Sequence, residues 1–311
     1  CGPSRSAILT GQHIWRLEEA GNIHSTLPAK FTTYTELLAE AGYAVGFTGK
    51  GWSPGRLEPG GRTMNPAGVS FQKRKAKPPF KSMSNTDYAG NFQDFLEQVS
   101  DDQPFCFWLG TSEPHRAYEL GAGKRTGKDP GKVVVPPIFP DNDIVRNDIL
   151  DYLVEIETFD QHVARAIAML ESIGQLDNTI VVITSDHGMP FPRCKSNLYD
   201  SGTRVPLAIR WGQKIKKGLE FKDFVSLTDL APTFLQAASV MAPIEMTGKS
   251  LLPALTGKGE LRKFILTGKE RHVPSQESPS MEGYPSRSYR DHEFLYIRNY
   301  SPNLWPNGTP N

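Results

Sequence analysis

Apolar and polar positions along the chain switch between two periods, and the switching predicts helices interleaved with short strands. Residues 33–41 carry apolar side chains at helical spacing, and Gly42 ends them. Residues 44–48 form a short apolar run, read as a strand, that leads into Gly49-Lys50. Residues 87–99 are again helical, and Pro104 opens an apolar strand over 105–109 with Cys106 inside it. The longest helical pattern spans 143–173. It places Val145, Ile149, Tyr152, Ile156, Phe159, Val163, Ile167 and Leu170 on one face, and Gly174 ends it. Residues 179–184, introduced by Asn178, are a β-branched run expected to be a strand buried on both faces. A helix reaching Val240 follows, and residues 261–267 and 294–298 read as strands of a smaller sheet. Segments 53–87 and 111–132 show no period and read as loops, 133–137 as extended chain, and 301–311 as a loop-like end.

Strands alternating with helices argue for an α/β fold, a mostly parallel sheet flanked by helices. The expected division is a main domain over 1–245 and a smaller α+β part over 246–311. Ligands in such sheets gather beyond the carboxyl ends of strands. The chemically loaded segments do follow strands: Lys50 after 44–48, His115 after 105–109, and Asp186-His187 after 179–184. At the other end of the argument, residues 4–9 read as the first turn of a helix. Cys1 then stands at or just before a helix N-terminus, where backbone N–H groups and the dipole favour an anion.

Composition narrows the function classes. The 311 residues suffice for one large domain or two ordinary ones. With 35 Lys+Arg against 34 Asp+Glu, no global field argues for nucleic acid, so an anionic substrate would need cations gathered locally. The 25 Pro and 28 Gly point to ordered loops of the kind that build sites. No apolar run approaches the ~18–20 residues of a membrane span. Three cysteines, Cys1, Cys106 and Cys194, make no disulfide framework, and Cys106 reads as an inert core residue.

The opening segment Cys1-Gly2-Pro3-Ser4-Arg5, continued by Ile8-Leu9-Thr10-Gly11, resembles the signature of the type I sulfatases. The resemblance implies an alkaline-phosphatase-like fold. It also implies that Cys1 is oxidised to formylglycine by a formylglycine-generating or anaerobic sulfatase-maturating enzyme. The hydrated aldehyde offers one hydroxyl to attack sulfur and a second to expel sulfate. In that family a strand with an Asp-Asp metal pair, and often a secretory signal, precede the signature. The chain is therefore expected to be a piece of a longer one, from a periplasmic, secreted or lysosomal protein.

Other positions fit the same pattern. Thr184-Ser185-Asp186-His187-Gly188 is similar to the family segment Ser-Asp-Asn-Gly, whose Asp and Asn bind calcium. From the residues alone, Asp186 and His187 are either a metal site or a satisfied Asp–His pair. Imidazole in place of Asn leaves Mg2+ or a transition metal open beside Ca2+. Gly42-Tyr43 to Gly49-Lys50 resembles the segment whose lysine grips a sulfate oxygen; the other reading of Lys50 is a solvated charge. The family's usual His two residues later is Trp52 here. Pro114-His115 resembles the segment whose His protonates the leaving group, and an ordinary loop histidine is the alternative. Lys195 is implied as a further cation around the sulfate, and Arg5 as support for the diol and the metal shell.

Pro190-Phe191-Pro192, Asn197-Leu198-Tyr199, Pro114-His115-Arg116, Val135-Pro136, Phe139-Pro140-Asp141 and Gly283 to Ser288 are similar to the heparan N-sulfatases (sulfamidases). Arg271, His272 and Arg287 are then implied around the sugar, with surface ion pairs as the other reading. The expected function is sulfate removal from N-sulfoglucosamine. The alternatives are an O-sulfatase, a phosphonate or phosphate monoester hydrolase, or an inactive sulfated-sugar-binding homologue. A homodimer is possible on the same resemblance.

Overall fold

The structure, a computed structural model, describes residues 1–273, 276–277 and 280–306. In chain order its elements are α1 (Gly2–Thr10), α2 (Tyr34–Glu40), β1 (Ala44–Gly49), β2 (Val69–Ser70), α3 (Tyr88–Leu96) and β3 (Phe105–Gly110). There follow α4 (Ala122–Arg125), α5 (Asp143–Ser172), β4 (Val181–Thr184), α6 (Asp200–Thr203), β5 (Leu207–Arg210), α7 (Leu230–Ala237) and α8 (Leu252–Leu255). The chain closes with β6 (Ile265–Lys269), β7 (Ser286–Arg290) and β8 (Leu295–Asn299). Short 3-10 turns join them. Of the expected loop-like end, residues 307–311 lie outside the described residues.

Helix starts follow local polar chemistry. Thr33 and Glu36 form a reciprocal capping box at α2, Asp87 accepts the Gly90 amide at α3, and Asn142 accepts the Val145 amide at α5. Each satisfies an N–H that the helix geometry leaves without a partner.

The chain divides into two compact units. The first comprises Cys1–Val45, Trp52–Gly68 and Asp177–Asn311; the second comprises Gly46–Gly51 and Val69–Leu176. In the second unit a three-stranded sheet runs β2-β1-β3, with β1 and β2 parallel in the register Gly46↔Val69. Phe71, Phe92, Phe95, Phe105 and Phe107 make an aromatic cluster on it, with Phe95 and Phe107 centroids 4.7 Å apart. In the first unit, β4 and β5 pair antiparallel and form a two-stranded sheet, and β6-β7-β8 form an antiparallel sheet. Its core holds Leu9, Leu17, Leu27, Trp52, Leu230 and Leu235.

Several expectations change. Strand β4 is half-buried along its length rather than fully buried, and its only partner strand among the described residues is β5. Cys106 is likewise partly exposed and not a core residue. The loop at 111–132 contains α4, too short for a visible period, and β5 and β7 escape a search by hydrophobic run. The long helix turns the expected face inward, with Ile149 and Leu170 buried and the rest of that face half-buried, and it also buries Leu150, Asp151, Val154 and Glu155. Asp151 accepts the amides of Gly121 and Gly123, at 2.9 and 2.8 Å, and so caps α4 from outside. No helix of the described residues is long and apolar enough to cross a membrane.

Candidate active site

Cys1 is the N-cap of α1, and its carbonyl accepts the first intrahelical bond, from Arg5 N–H at 3.0 Å. Pro3 suits the first turn, where a missing N–H costs nothing. The helix is buried nearly all round, through Arg5, Ser6, Ala7, Ile8, Leu9 and Thr10. Trp52 lies against it, 2 % exposed, with its indole N–H donating to Ser6 Oγ at 2.9 Å. Trp52 is therefore a core side chain under the helix that presents Cys1. An indole N–H with its one bond made offers no proton chemistry.

Asp186 and His187 leave the carboxyl end of β4. The turn needs Gly188, because a Cβ there would sit 1.9 Å from the Ser201 carbonyl oxygen, while the Gly188 amide donates to Gly202 at 2.9 Å. The His187 Nδ1 lies 2.8 Å from the Gly188 carbonyl, so it carries the proton there. Burial, ahead of the opposing charge of Asp186, lowers the His187 pKa and keeps the ring neutral. Its Nε2 lone pair then faces the site, 3.5 Å from Cys1 Sγ and 3.3 Å from Asp186 Oδ1. Asp186 Oδ2 accepts Arg5 Nε–H at 3.1 Å, in a pair whose side chains are only 9 % and 15 % exposed. One ligand atom from each of Cys1, Asp186 and His187 lies within 4.8 Å of the others, the one such cluster among the described residues.

Lys195 is brought in by a tight loop. Cys194 is fully buried and anchors it, the Lys195 amide donates to Met189 at 3.1 Å, and Arg193 and Ser196 both adopt left-handed backbone, at φ 62° and 67°. Non-glycine residues hold that conformation only where the surroundings fix it. Burial lowers the Lys195 pKa, opposed by Asp186. An open cleft of about 1350 Å³ in this unit is lined by Cys1, Asp186, His187, Lys195, Arg271 and His272.

The three residues expected around a sugar separate. His272 has its pKa pushed down to about 4, by burial first and then by the charge of Lys195, and its Nε2 is buried without a hydrogen-bond partner among the described residues. Arg271 donates from Nη1 to Met281 at 2.6 Å, while its Nε is buried and has no partner among the described residues. Arg287 is not in the cleft lining. It pairs with Glu270, donates to Ser286 at 3.0 Å, and lies 4.7 Å over the Trp15 ring.

Lys50 and His115 belong to the second unit. Lys50 ends β1, half-buried, with its amide donating to Gly110 at 2.5 Å. His115 lies on the turn after β3, exposed, its Nδ1 2.5 Å from the Arg116 carbonyl and its amide donating to Ser112 at 3.0 Å. Both follow strand ends, as expected. The buried acids Glu113 and Glu155 of this unit were missed, although Glu113 stands two residues before His115.

Comparison with known proteins agrees with this geometry. The family profile described as Sulfatase matches residues 1–240. The chain is 29 % identical to the N-sulphoglucosamine sulphohydrolase of Homo sapiens, over 96 % of this chain and 64 % of that protein's length. Among solved structures, one in complex with its substrate D-glucosamine-2-N,6-O-disulfate superposes with TM-score 0.72 at 21 % identity, covering 96 % of this chain and 79 % of that one. A phosphonate monoester hydrolase from Silicibacter pomeroyi gives TM-score 0.73 at 19 % identity, covering 96 % and 77 %.

Proposed function

The chain belongs to the sulfatase family, and on that premise we propose that it removes sulfate from a sulfated saccharide, with the N-sulfate of glucosamine as the bond broken. The observation that carries the reading is the meeting of Cys1 with Asp186 and His187 at the N-terminus of α1. Position 1 faces first-turn amides, a carboxylate oxygen and a neutral imidazole lone pair. The Cys1 Sγ marks where the oxygens of a hydrated formylglycine would stand. The preference for N-sulfate is supported by the human relative's name and by the sulfamidase-like segments around Pro190 and His115.

The donor set fits a divalent cation. Asp186 supplies an oxygen, His187 a lone pair freed by the Nδ1–Gly188 bond, and position 1 a third ligand, while Arg5 holds the second Asp186 oxygen. Calcium is the family expectation, and the imidazole suits Mg2+ less well than a transition metal. Such an ion, when bound, lowers the pKa of a coordinated hydroxyl and screens sulfuryl oxygens.

The chain's own residues do the rest. Lys195 and Lys50 bind sulfate oxygens, and Lys195, with its pKa lowered by burial, offers a poorly solvated cation to charge that grows in the transition state. His115, exposed on its turn, gives a proton to the departing nitrogen. His272 and Arg271, which line the cleft, are the candidate contacts to the sugar. Arg287 braces the wall behind them. Maturation by a formylglycine-generating or anaerobic maturating enzyme, in a periplasmic, secreted or lysosomal setting, belongs to the same proposal.

The test uses full-length protein whose residue 1 is confirmed as formylglycine by peptide mass. It is given a heparan-type disaccharide bearing N-sulfate and 6-O-sulfate. Loss of the N-sulfate, with Cys1→Ala slower by at least about 10³, is the expected outcome. Loss of only the 6-O-sulfate moves the substrate to an O-sulfated glycan. A Cys1→Ala protein with full multiple turnover sinks the mechanism. A second reading, a phosphonate or phosphate monoester hydrolase, is favoured by His187 in place of an oxygen ligand. Faster hydrolysis of a phosphate than of a sulfate ester of one alcohol would establish it.

A further inference from the structure

The second unit buries two acids beneath the turn that carries His115. Glu113 is 5 % exposed and Glu155 2 % exposed. The Glu113 carboxylate points inward, where Oε1 accepts the Ser84 amide at 2.7 Å and Oε2 accepts the Tyr88 hydroxyl at 3.0 Å. That hydroxyl in turn accepts the Ser112 amide at 2.9 Å. The Ser112 carbonyl accepts the His115 amide at 3.0 Å, and the Thr111 hydroxyl donates to the Glu113 carbonyl at 2.7 Å. Tyr118 ties the far side by donating to the Pro114 carbonyl at 3.1 Å. A continuous set of hydrogen bonds thus runs from α3, through one carboxylate, into the backbone that presents His115.

Glu155, on α5, accepts from the Ser82 hydroxyl at 3.3 Å. Its pKa is pushed up to about 7, by burial first and then by the charge of Glu113. Charged pairs stand nearby, Asp87 with Arg165 and Arg116 with Asp148. Burial raises the pKa of Tyr88 and Tyr118 and lowers that of His162.

We propose that Glu113 is a positioning residue for His115: its buried carboxylate, held between the Ser84 amide and the Tyr88 hydroxyl, clamps the backbone that presents the ring. The inference rests on the reading of His115 as proton donor to the leaving group. A loosened clamp therefore harms only reactions that need that proton.

The experiment compares two sulfate donors on the mature full-length enzyme. One is the N-sulfated disaccharide, with a strongly basic leaving nitrogen; the other is 4-nitrophenyl sulfate, whose leaving group departs almost unaided. Glu113→Gln keeps the shape but offers one acceptor in place of two. It is expected to lower kcat on the disaccharide about tenfold, a part of the 10²–10⁴ that general acid catalysis contributes. Its KM should hold, and kcat on the aryl sulfate should stay within about threefold. Tyr88→Phe gives a smaller loss of the same kind. Amide exchange gives a readout free of activity: protection of Ser84 and Ser112 should fall in Glu113→Gln.

Equal losses on both donors, or unchanged protection at Ser84 and Ser112, overturn the proposal. His115→Ala separates it from the reading beneath it. If His115→Ala shows the donor-dependent loss and Glu113→Gln does not, the clamp alone is refuted. If His115→Ala shows no donor dependence, the general-acid reading falls and takes the clamp with it.

Discussion

Two groups of charged side chains in the first unit differ in what surrounds them. Around Cys1, Asp186 and His187, the hydrogen-bonding groups are fixed from behind and brought together at one point. Arg5 holds one oxygen of Asp186, the Gly188 carbonyl holds one nitrogen of His187, and the remaining atoms converge on Cys1 Sγ. Around Arg287 the contacts come from several directions. Glu270, two backbone carbonyls and the Trp15 face occupy the guanidinium. A side chain held by several groups of the protein is braced in place, whereas side chains whose ligand atoms converge can hold a cation together. Arg271 and His272 stand between these cases, each with one buried nitrogen that has no partner among the described residues.

The comparison breaks most sharply at Asp186. Asp186→Asn removes a charge from both the metal donors and the Arg5 pair. About a hundredfold loss in kcat/KM and in metal affinity is expected, with a stability loss of roughly 3 kcal/mol from the stranded Arg5 cation. Titration with a divalent cation and denaturant unfolding would measure the two. A variant that binds metal as tightly as the parent would show that the Asp186–Arg5 pair is only a brace, like Arg287 with Glu270.

Arg287→Ala sharpens the contrast from the other side. The lost ion pair and ring contact should lower stability by about 1–2 kcal/mol, seen as a drop in Tm, while kcat/KM on the disaccharide stays within about threefold. A large rise in KM at unchanged Tm would place Arg287 among the substrate contacts and dissolve the distinction.

The smallest effect concerns His272. Its folded pKa, about 4, lies below its ordinary value near 6.5, so the unfolded chain binds the proton more readily. Stability is unaffected above about pH 6.5 and is lost as pH falls from there toward about 4. Thermal melts across that window should show the decline in the parent and a shallower one in His272→Gln. Equal slopes would mean that His272 is as solvated as an ordinary surface histidine.

Much of this protein is determined by local sequence alone. The caps Thr33, Asp87 and Asn142 start their helices because a side-chain oxygen beside the first turn satisfies orphan amides wherever the chain goes next. The Cys1 motif fixes the residue at the N-terminus of α1, and Lys50, His115 and Asp186 fall at strand ends because the apolar runs before them stop there. Tertiary structure decided the rest. Trp52 replaces an expected histidine, yet only the fold shows it buried with its N–H on Ser6. Arg287 lies in a motif that suggests a sugar contact, and Glu270 and Trp15 make it a brace. Glu113 and Glu155 carry no periodic signal, and polar residues read as exposed by default. Their inward turn depends on Ser82, Ser84 and Tyr88, supplied by chain far from both. The physical reason is common to all three. Whether a polar group is used within the protein or left available depends on the partners that non-local packing brings to it, and residue spacing along a chain does not encode those partners.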